Sequence, residues 1–195
     1  MKTIEVLRSE LLAEYEDDAA IIYGVDSGFR IRYCNRAWDR FAAANGGSPL
    51  LRDRQIGMSV MAVTPLILRP FYARFYESVL RTGERAEREY ECSSDTIYRR
   101  FHMFIARRDV PGRDPLLVVV NSLVVEDEHP YESFPFDAPA LRDENGLFTM
   151  CSHCRRTRLP GAHDCWVWVP ELVRETAADV HHGMCSVCLE LHYGR

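Results

Sequence analysis

The sequence predicts an α+β fold followed by a small cysteine-built module, on three observations. Apolar residues alternate or run together in strand-sized segments at Ala19–Val25, Phe29–Tyr33, Glu87–Cys92, Ile97–Arg107 and Leu116–Val125. Between the second and third of these lie stretches with helical spacing, so the order is two strands, helices, then three strands. An antiparallel five-stranded sheet with helices on one face is the α+β arrangement that fits this order. Near the C-terminus stand two Cys-x-x-Cys pairs, Cys151/Cys154 and Cys185/Cys188.

The elements follow in order. Residues 1–14 read as an amphipathic helix: Thr3 can cap it, and Ile4, Leu7, Leu11 and Leu12 recur at helical spacing. Ala19–Val25 is a continuous apolar strand. Asp26-Ser27-Gly28 is a tight turn, with Gly28 as the residue free to take a positive φ. In the next strand Phe29, Ile31 and Tyr33 alternate with Arg30 and Arg32. Asn35 is placed to cap a helix through Phe41, and Asn45-Gly46-Gly47 ends it. Residues 48–65 suit short helical turns. A longer helix starts at Pro70, presents Phe71, Phe75, Val79 and Leu80 on one face, and stops at Gly83. In the strand Ile97–Arg107, Phe101, Met103 and Ile105 alternate with Arg100, His102 and Phe104. Residues 128–145, rich in acids and prolines, read as a linker, with Tyr131, Phe134 and Phe136 packing part of it on a neighbour. The expected organisation is therefore a helix at 1–14, a main domain at 15–127, a linker at 128–145 and a small module at 146–195.

Composition narrows the function. The chain has 195 residues, is 47% hydrophobic and carries a formal net charge of −5 with a pI near 5.8, which disfavours a polyanion binder. The segment from Cys151 onward holds as many arginines as acids. Nothing resembles an apolar signal segment, and no apolar run approaches the ~20 residues that span a bilayer. Seven cysteines, an odd number with paired spacing, suit reduced thiols in the cytoplasm better than a secreted disulfide scaffold.

The cysteine pairs carry the most specific chemistry. Two thiolates three residues apart can grip one Zn²⁺ from a single turn, and a distant second pair completes a tetrahedron. With all positions held by protein, the site is a folding device and not a catalytic centre. The bland alternative is four unrelated reduced thiols. His153, His163, His181, His182 and His192 crowd the same segment and leave a three-Cys, one-His set open. His182 is expected to order the turn before Cys185, and Cys165 reads as a small buried side chain with a redox partner as the sharper alternative. Catalysis has no support: there is no Ser-His-Asp order, no phosphate-binding glycine loop and no open metal cluster. The chain is expected not to be an enzyme.

The stretch Tyr23-Gly-Val-Asp-Ser-Gly-Phe-Arg-Ile-Arg-Tyr-Cys-Asn-Arg-Ala-Trp38 resembles the opening of a PAS domain, and Gly83–Val125 resembles its three closing strands. The tail resembles a cysteine extension found after PAS domains in bacterial signalling proteins. It reads Cys151-Ser-His-Cys154, then Trp166-Val-Trp168-Val-Pro170, then His182-Gly183-Met184-Cys185-Ser-Val-Cys188. The resemblance implies a small ligand or cofactor between sheet and helices, with Trp38, Tyr72, Phe75 and Phe104 as cavity candidates, joined by Phe71 and His102. A plain filled core is the competing reading of the same aromatics. His102 suits a surface better than a haem ligand, no flavin-reactive cysteine motif is present, and Cys34 reads as core.

These readings combine into a stand-alone cytoplasmic sensory or protein-interaction protein with a structural Zn(Cys)₄ tail. It would work through a protein partner or as a homodimer built on the N-terminal helix and the outer sheet face. One alternative is a nucleic-acid-binding regulator using Arg155, Arg156 and Arg158 with Trp166 and Trp168. The other is a thiol redox switch that releases zinc on oxidation.

Overall fold

The structure is a computed structural model that describes residues 14–109, 112, 114–175 and 179–194. The helix expected over 1–14 lies outside these, apart from Glu14. Five strands, β1 (Ile21–Val25), β2 (Ile31–Cys34), β3 (Ala86–Glu91), β4 (Ile97–Arg108) and β5 (Leu116–Glu128), form one antiparallel sheet in the order β2-β1-β5-β4-β3. Between β2 and β3 run α1 (Arg36–Ala44), α2 (Arg52–Gln55), α3 (Val60–Val63) and α4 (Arg69–Thr82), with short 3₁₀ turns at Ser48–Leu50 and Leu66–Leu68. The α+β class and the expected element order are both present.

Central strands buried on both faces need continuous apolar runs, and β1 and β5 have them. Ile22 pairs with Val120 and Tyr23 with Val119. On one face Ile22, Tyr33, Leu116 and Val118 pack together with Tyr15 and Ala20 against them. On the other, Tyr23 meets the Trp38 ring of α1 edge-on at 5.4 Å, and Phe101 meets Phe41 at 5.6 Å. β4 buries Phe101, Met103 and Ile105, as its alternation predicts.

Asn35 explains why α1 starts where it does. Its Oδ1 accepts from the backbone N–H of Trp38 at 3.1 Å and of Ile22 at 3.1 Å, while its Nδ2 donates to Ala20 O at 2.8 Å. A fully buried amide with this many partners ties the helix cap to β1.

Three expectations need correction. The positive φ of the β1–β2 turn falls on Phe29 (60°) and not on Gly28. Asp26 Oδ1 accepts from Gly28 N and Arg30 N, and the Phe29 ring rests against Tyr76 at 5.7 Å, which together hold a side chain in left-handed backbone. The buried stripe of α4 runs through Tyr76 and Val79, while Phe71 and Phe75 are only half-buried. Gly83, with φ of 73°, does end that helix. Finally, the stretch read as a linker folds. β5 continues to Glu128, α5 (Ala138–Leu141) forms, and Leu141 is fully buried beside Phe148 and Phe134.

The chain divides into two compact units. The described residues of Met1–Thr64, Tyr72–Glu89 and Phe101–Leu123 form the first. Those of Pro65–Phe71, Tyr90–Arg100 and Val124–Arg195 form the second. In the second, β6 (Phe148–Cys151), β7 (Thr157–Arg158), β8 (Trp166–Val167) and β9 (Val180–Gly183) make a small sheet in the order β8-β7-β6-β9, with α6 (Pro170–Arg174) and α7 (Ser186–Tyr193) alongside in sequence. No helix among the described residues is long and apolar enough to cross a membrane.

Candidate metal centre

Local backbone geometry builds the site. The first cysteine pair sits in the connection from β6 to β7. There Cys151 N donates to Arg156 O at 2.8 Å and Arg155 N to Cys151 O at 3.0 Å, closing a tight knuckle. Arg155 takes the left-handed position of that knuckle, with φ of 62°. A glycine would relieve the strain, but Arg155 Nη2 donates to Val173 O at 2.8 Å and so anchors the turn through its side chain. β9 lies parallel to β6 with Cys151 opposite Gly183, which carries the chain straight to the second pair. Gly183 is tightly placed: a Cβ there would meet Thr149 Cγ2 at 3.3 Å. Cys185 then caps α7, its Sγ accepting from Cys188 N at 3.4 Å.

The four sulfurs converge. All lie within 4.8 Å of one another and all four residues are buried. Cys151 Sγ is 3.8 Å and Cys154 Sγ 3.9 Å from Cys185 Sγ. A tetrahedron with Zn–S bonds of ~2.3 Å has S–S edges of about 3.8 Å, so the cluster has the size such an ion needs. These separations are far too long for disulfides, and all seven cysteines are free thiols. The group can hold a metal ion. No histidine belongs to it: His153 Nε2 instead accepts from Glu91 N at 3.1 Å, and His192 packs on Phe71 at 5.0 Å.

Charge explains the surroundings. Hydrogen bonds from Cys154, Cys185 and Cys188 hold the Cys151 thiol well below the usual range. Its neighbour Cys188 is pushed far up, first by Cys151. Cys185 is also held below the usual thiol range, whereas Cys154 is pushed far up like Cys188, so four thiolates together call for a cation among them. The protein adds its own partial compensation. Arg156 Nε donates to Cys154 Sγ at 3.2 Å and Nη2 lies 3.8 Å from Cys185 Sγ. Cys185 N lies 3.5 Å from Cys151 Sγ, and the N-terminus of α7 points its N–H groups at the second pair. Trp166 and Met184 cover the sulfurs. His182, expected to support the turn, is exposed on β9, so these hydrogen bonds come from Arg156 and the backbone. Sequence spacing pointed to the four ligands but not to Arg156, whose partners appear only once β7 folds back. Cys165 is half-buried and stands outside the group.

The aromatic cavity candidates lie elsewhere in the chain. Trp38 donates from Nε1 to Leu50 O at 2.6 Å and meets Tyr23. Tyr23 and Tyr76 share a hydroxyl–hydroxyl hydrogen bond of 2.8 Å, and Tyr72 meets Tyr76 at 6.2 Å. Trp38 and Tyr72 are thus joined through two buried tyrosines that the sequence reading did not single out. Phe75 is half-buried on α4. Phe104 lies on the opposite side of β4 from Phe101, Met103 and Ile105, with the Arg85 guanidinium 5.8 Å from its ring centroid. His102 stands 3.3 Å from the Glu87 carboxylate at the surface. Cys34 is buried, and desolvation pushes its thiol far up.

No family model and no curated protein matches this chain. Solved structures similar to it include PAS domains. The PAS domain of BvgS from Bordetella pertussis is 15% identical, with 64% of this chain and 88% of that one covered and a TM-score of 0.48. The PAS domain of an HTR-like protein from Haloarcula marismortui is 18% identical over 63% and 96%, with a TM-score of 0.41. The Drosophila melanogaster Cycle PAS-B domain, solved with bound ethylene glycol, is 13% identical over 53% and 99%, with a TM-score of 0.40. The five-stranded antiparallel sheet with helices between β2 and β3 is the α+β arrangement expected from the sequence.

Proposed function

We propose that this chain is a cytoplasmic, non-enzymatic sensory or protein-interaction protein, in which a PAS-type unit does the signalling and Zn²⁺ bound by Cys151, Cys154, Cys185 and Cys188 stabilises the cysteine-bearing unit. The closed sulfur cluster is the observation that carries this reading. Four buried protein ligands leave no position for water or substrate, which favours a folding role. When bound, the ion supplies charge neutralisation and a cross-link between the β6–β7 knuckle and the start of α7. The chain's own residues do the rest: Arg156 and backbone N–H groups donate to the sulfurs, and Trp166 and Met184 shield them.

Signalling would proceed by a shift between conformations that bind a partner, or a second copy, with different affinity. The apolar residues Ile22, Leu116 and Val118 are already buried within the chain, so self-association would use what is still exposed on β5, such as Leu123. Nucleic-acid binding is disfavoured by where its candidate residues went. Trp168 is 2% exposed, Arg155 bonds the backbone, and Arg156 bonds sulfur, leaving Arg158 outward. Native mass spectrometry of untreated protein, with light scattering, tests the reading. One zinc per chain and a defined dimer support it. A metal-free chain with paired thiols would replace it by the redox switch.

A further inference from the structure

The four sulfurs do not share their N–H contacts evenly. Cys151 Sγ is met by Cys185 N at 3.5 Å and Cys185 Sγ by Cys188 N at 3.4 Å, both from the backbone. Cys154 Sγ depends on a side chain instead. Arg156 Nε donates to it at 3.2 Å, the shortest N–H contact to these sulfurs among the described residues. Nη2 of the same guanidinium lies 3.8 Å from Cys185 Sγ. One planar group therefore spans a sulfur from each Cys-x-x-Cys pair, a geometry that suits the rigid fork of arginine and not the point charge of lysine.

The guanidinium is held from its other side. It lies over the Tyr131 ring, 5.0 Å from the centroid, and the Tyr131 hydroxyl donates to the Glu91 carboxylate at 3.3 Å. Ser93 Oγ donates to the same carboxylate at 3.1 Å. Glu91, Tyr131 and Arg156 come from distant parts of the sequence and meet within the second unit. A side chain fixed in this way loses little freedom when it bonds sulfur. Charge gives the contact its weight. Four thiolates around one Zn²⁺ leave two negative charges uncompensated in a buried place, and one guanidinium offsets half of that. Among the described residues no other cationic side chain bonds these sulfurs.

We infer that Arg156 is a positioning residue that sets how tightly the four-cysteine group retains Zn²⁺. It is not a ligand. It draws on the negative charge of Cys154 and Cys185 and fixes the spacing between one sulfur of each pair. The inference rests on the zinc reading given above. Partners that orient and neutralise metal ligands typically contribute roughly 10–100-fold in metal affinity.

The test is a competition of the full chain, as purified, against a chromophoric zinc chelator, beside Arg156→Gln and Arg156→Lys. The glutamine variant keeps much of the length but loses the charge, and its zinc Kd should rise roughly 10–100-fold. The lysine variant keeps the charge but not the fork, and should recover only part of the affinity. Loading the same proteins with Co²⁺ adds a readout that lost packing would not move. The sulfur-to-cobalt charge-transfer band should shift to lower energy in Arg156→Gln, because a thiolate with fewer N–H donors gives up an electron more easily. If the glutamine variant does not fold, the lysine variant decides through the same two readouts. An unchanged Kd in both variants would overturn the role of Arg156 and leave the zinc reading standing. A weakened Kd with an unshifted band would assign Arg156 to packing alone and overturn it too. An unaltered chain that binds neither ion would overturn the zinc reading, and this inference with it.

Discussion

The two units reach stability by different routes. The first is a sheet with long central strands whose two faces are both covered. β5 alone buries Leu116, Leu117, Val118 and Val119 in succession, so hydrophobic burial is enough to define it. The second is built from two- to four-residue strands in its own sheet, with β7 meeting β6 at a single pair, Met150 and Thr157. Strands that short do not hold a sheet by themselves. What joins them is an apolar cluster around Leu141 and Phe148, and the convergence of four sulfurs. A long apolar strand carries its own stability, and a short one borrows it from side-chain chemistry.

The sharpest way to break this contrast is to remove the sulfur site. Cys185→Ser, or a strong chelator, is expected to expose the backbone of Phe148–Cys151 and Ser186–Tyr193 to hydrogen exchange while Ile21–Val25 and Leu116–Asn121 keep their protection. Uniform loss across the chain, or no loss, would remove the distinction.

The next largest effect should come from the sheet unit's own polar anchor. Asn35→Ala leaves Ile22 N, Trp38 N and Ala20 O without their side-chain partner. Denaturant melts should show a loss of about 3 kcal/mol or more, because unsatisfied buried groups cost roughly 1–3 kcal/mol each. A smaller effect is expected from Tyr76→Phe, which deletes only the Tyr23 hydrogen bond and should cost about 1 kcal/mol in the same melts. A fall as large as that for Asn35→Ala would mean that the tyrosine pair does more than fill the interior.

The smallest expected effect concerns pH in the cysteine unit. Desolvation lowers the pKa of His129 from its usual 6.5. Its ring stacks on Trp168, with Tyr131 and Tyr98 around it and Glu91 bonded to the Tyr131 hydroxyl. A base with a lowered folded pKa contributes stability that is present above its unfolded pKa and lost as pH falls. The melting temperature should therefore drop below pH 6.5, and less so in His129→Phe. Equal acid sensitivity in the two proteins would assign the drop to other groups.

The same contrast governs what could be read in advance. Local signals were legible: the apolar runs of β1 and β5, the Asn35 cap, the Gly83 stop, and the spacing of the four cysteines. Features decided by a distant partner were not. Either Phe75 or Tyr76 satisfies the helical period, and Tyr23, far away in sequence, selects Tyr76. Gly28 was the natural choice for a positive φ, but the Asp26 hydrogen bonds place it on Phe29. The acidic and proline-rich composition of 128–145 suggested a linker, because composition does not reveal that Phe134, Leu141 and Phe148 meet. Arg156 looked like part of a basic cluster until the knuckle turned it toward sulfur.

If four thiolates hold one ion and that ion organises the cysteine unit, the metal and the fold of that unit should be lost together. Native mass spectrometry before and after chelation, on the unaltered chain and on Cys185→Ser, tests it most directly. The expected result is one zinc per chain, lost on chelation together with a shift to higher charge states, and no tightly held zinc in the variant. An unaltered chain without metal, or a variant that retains zinc as tightly, would contradict it.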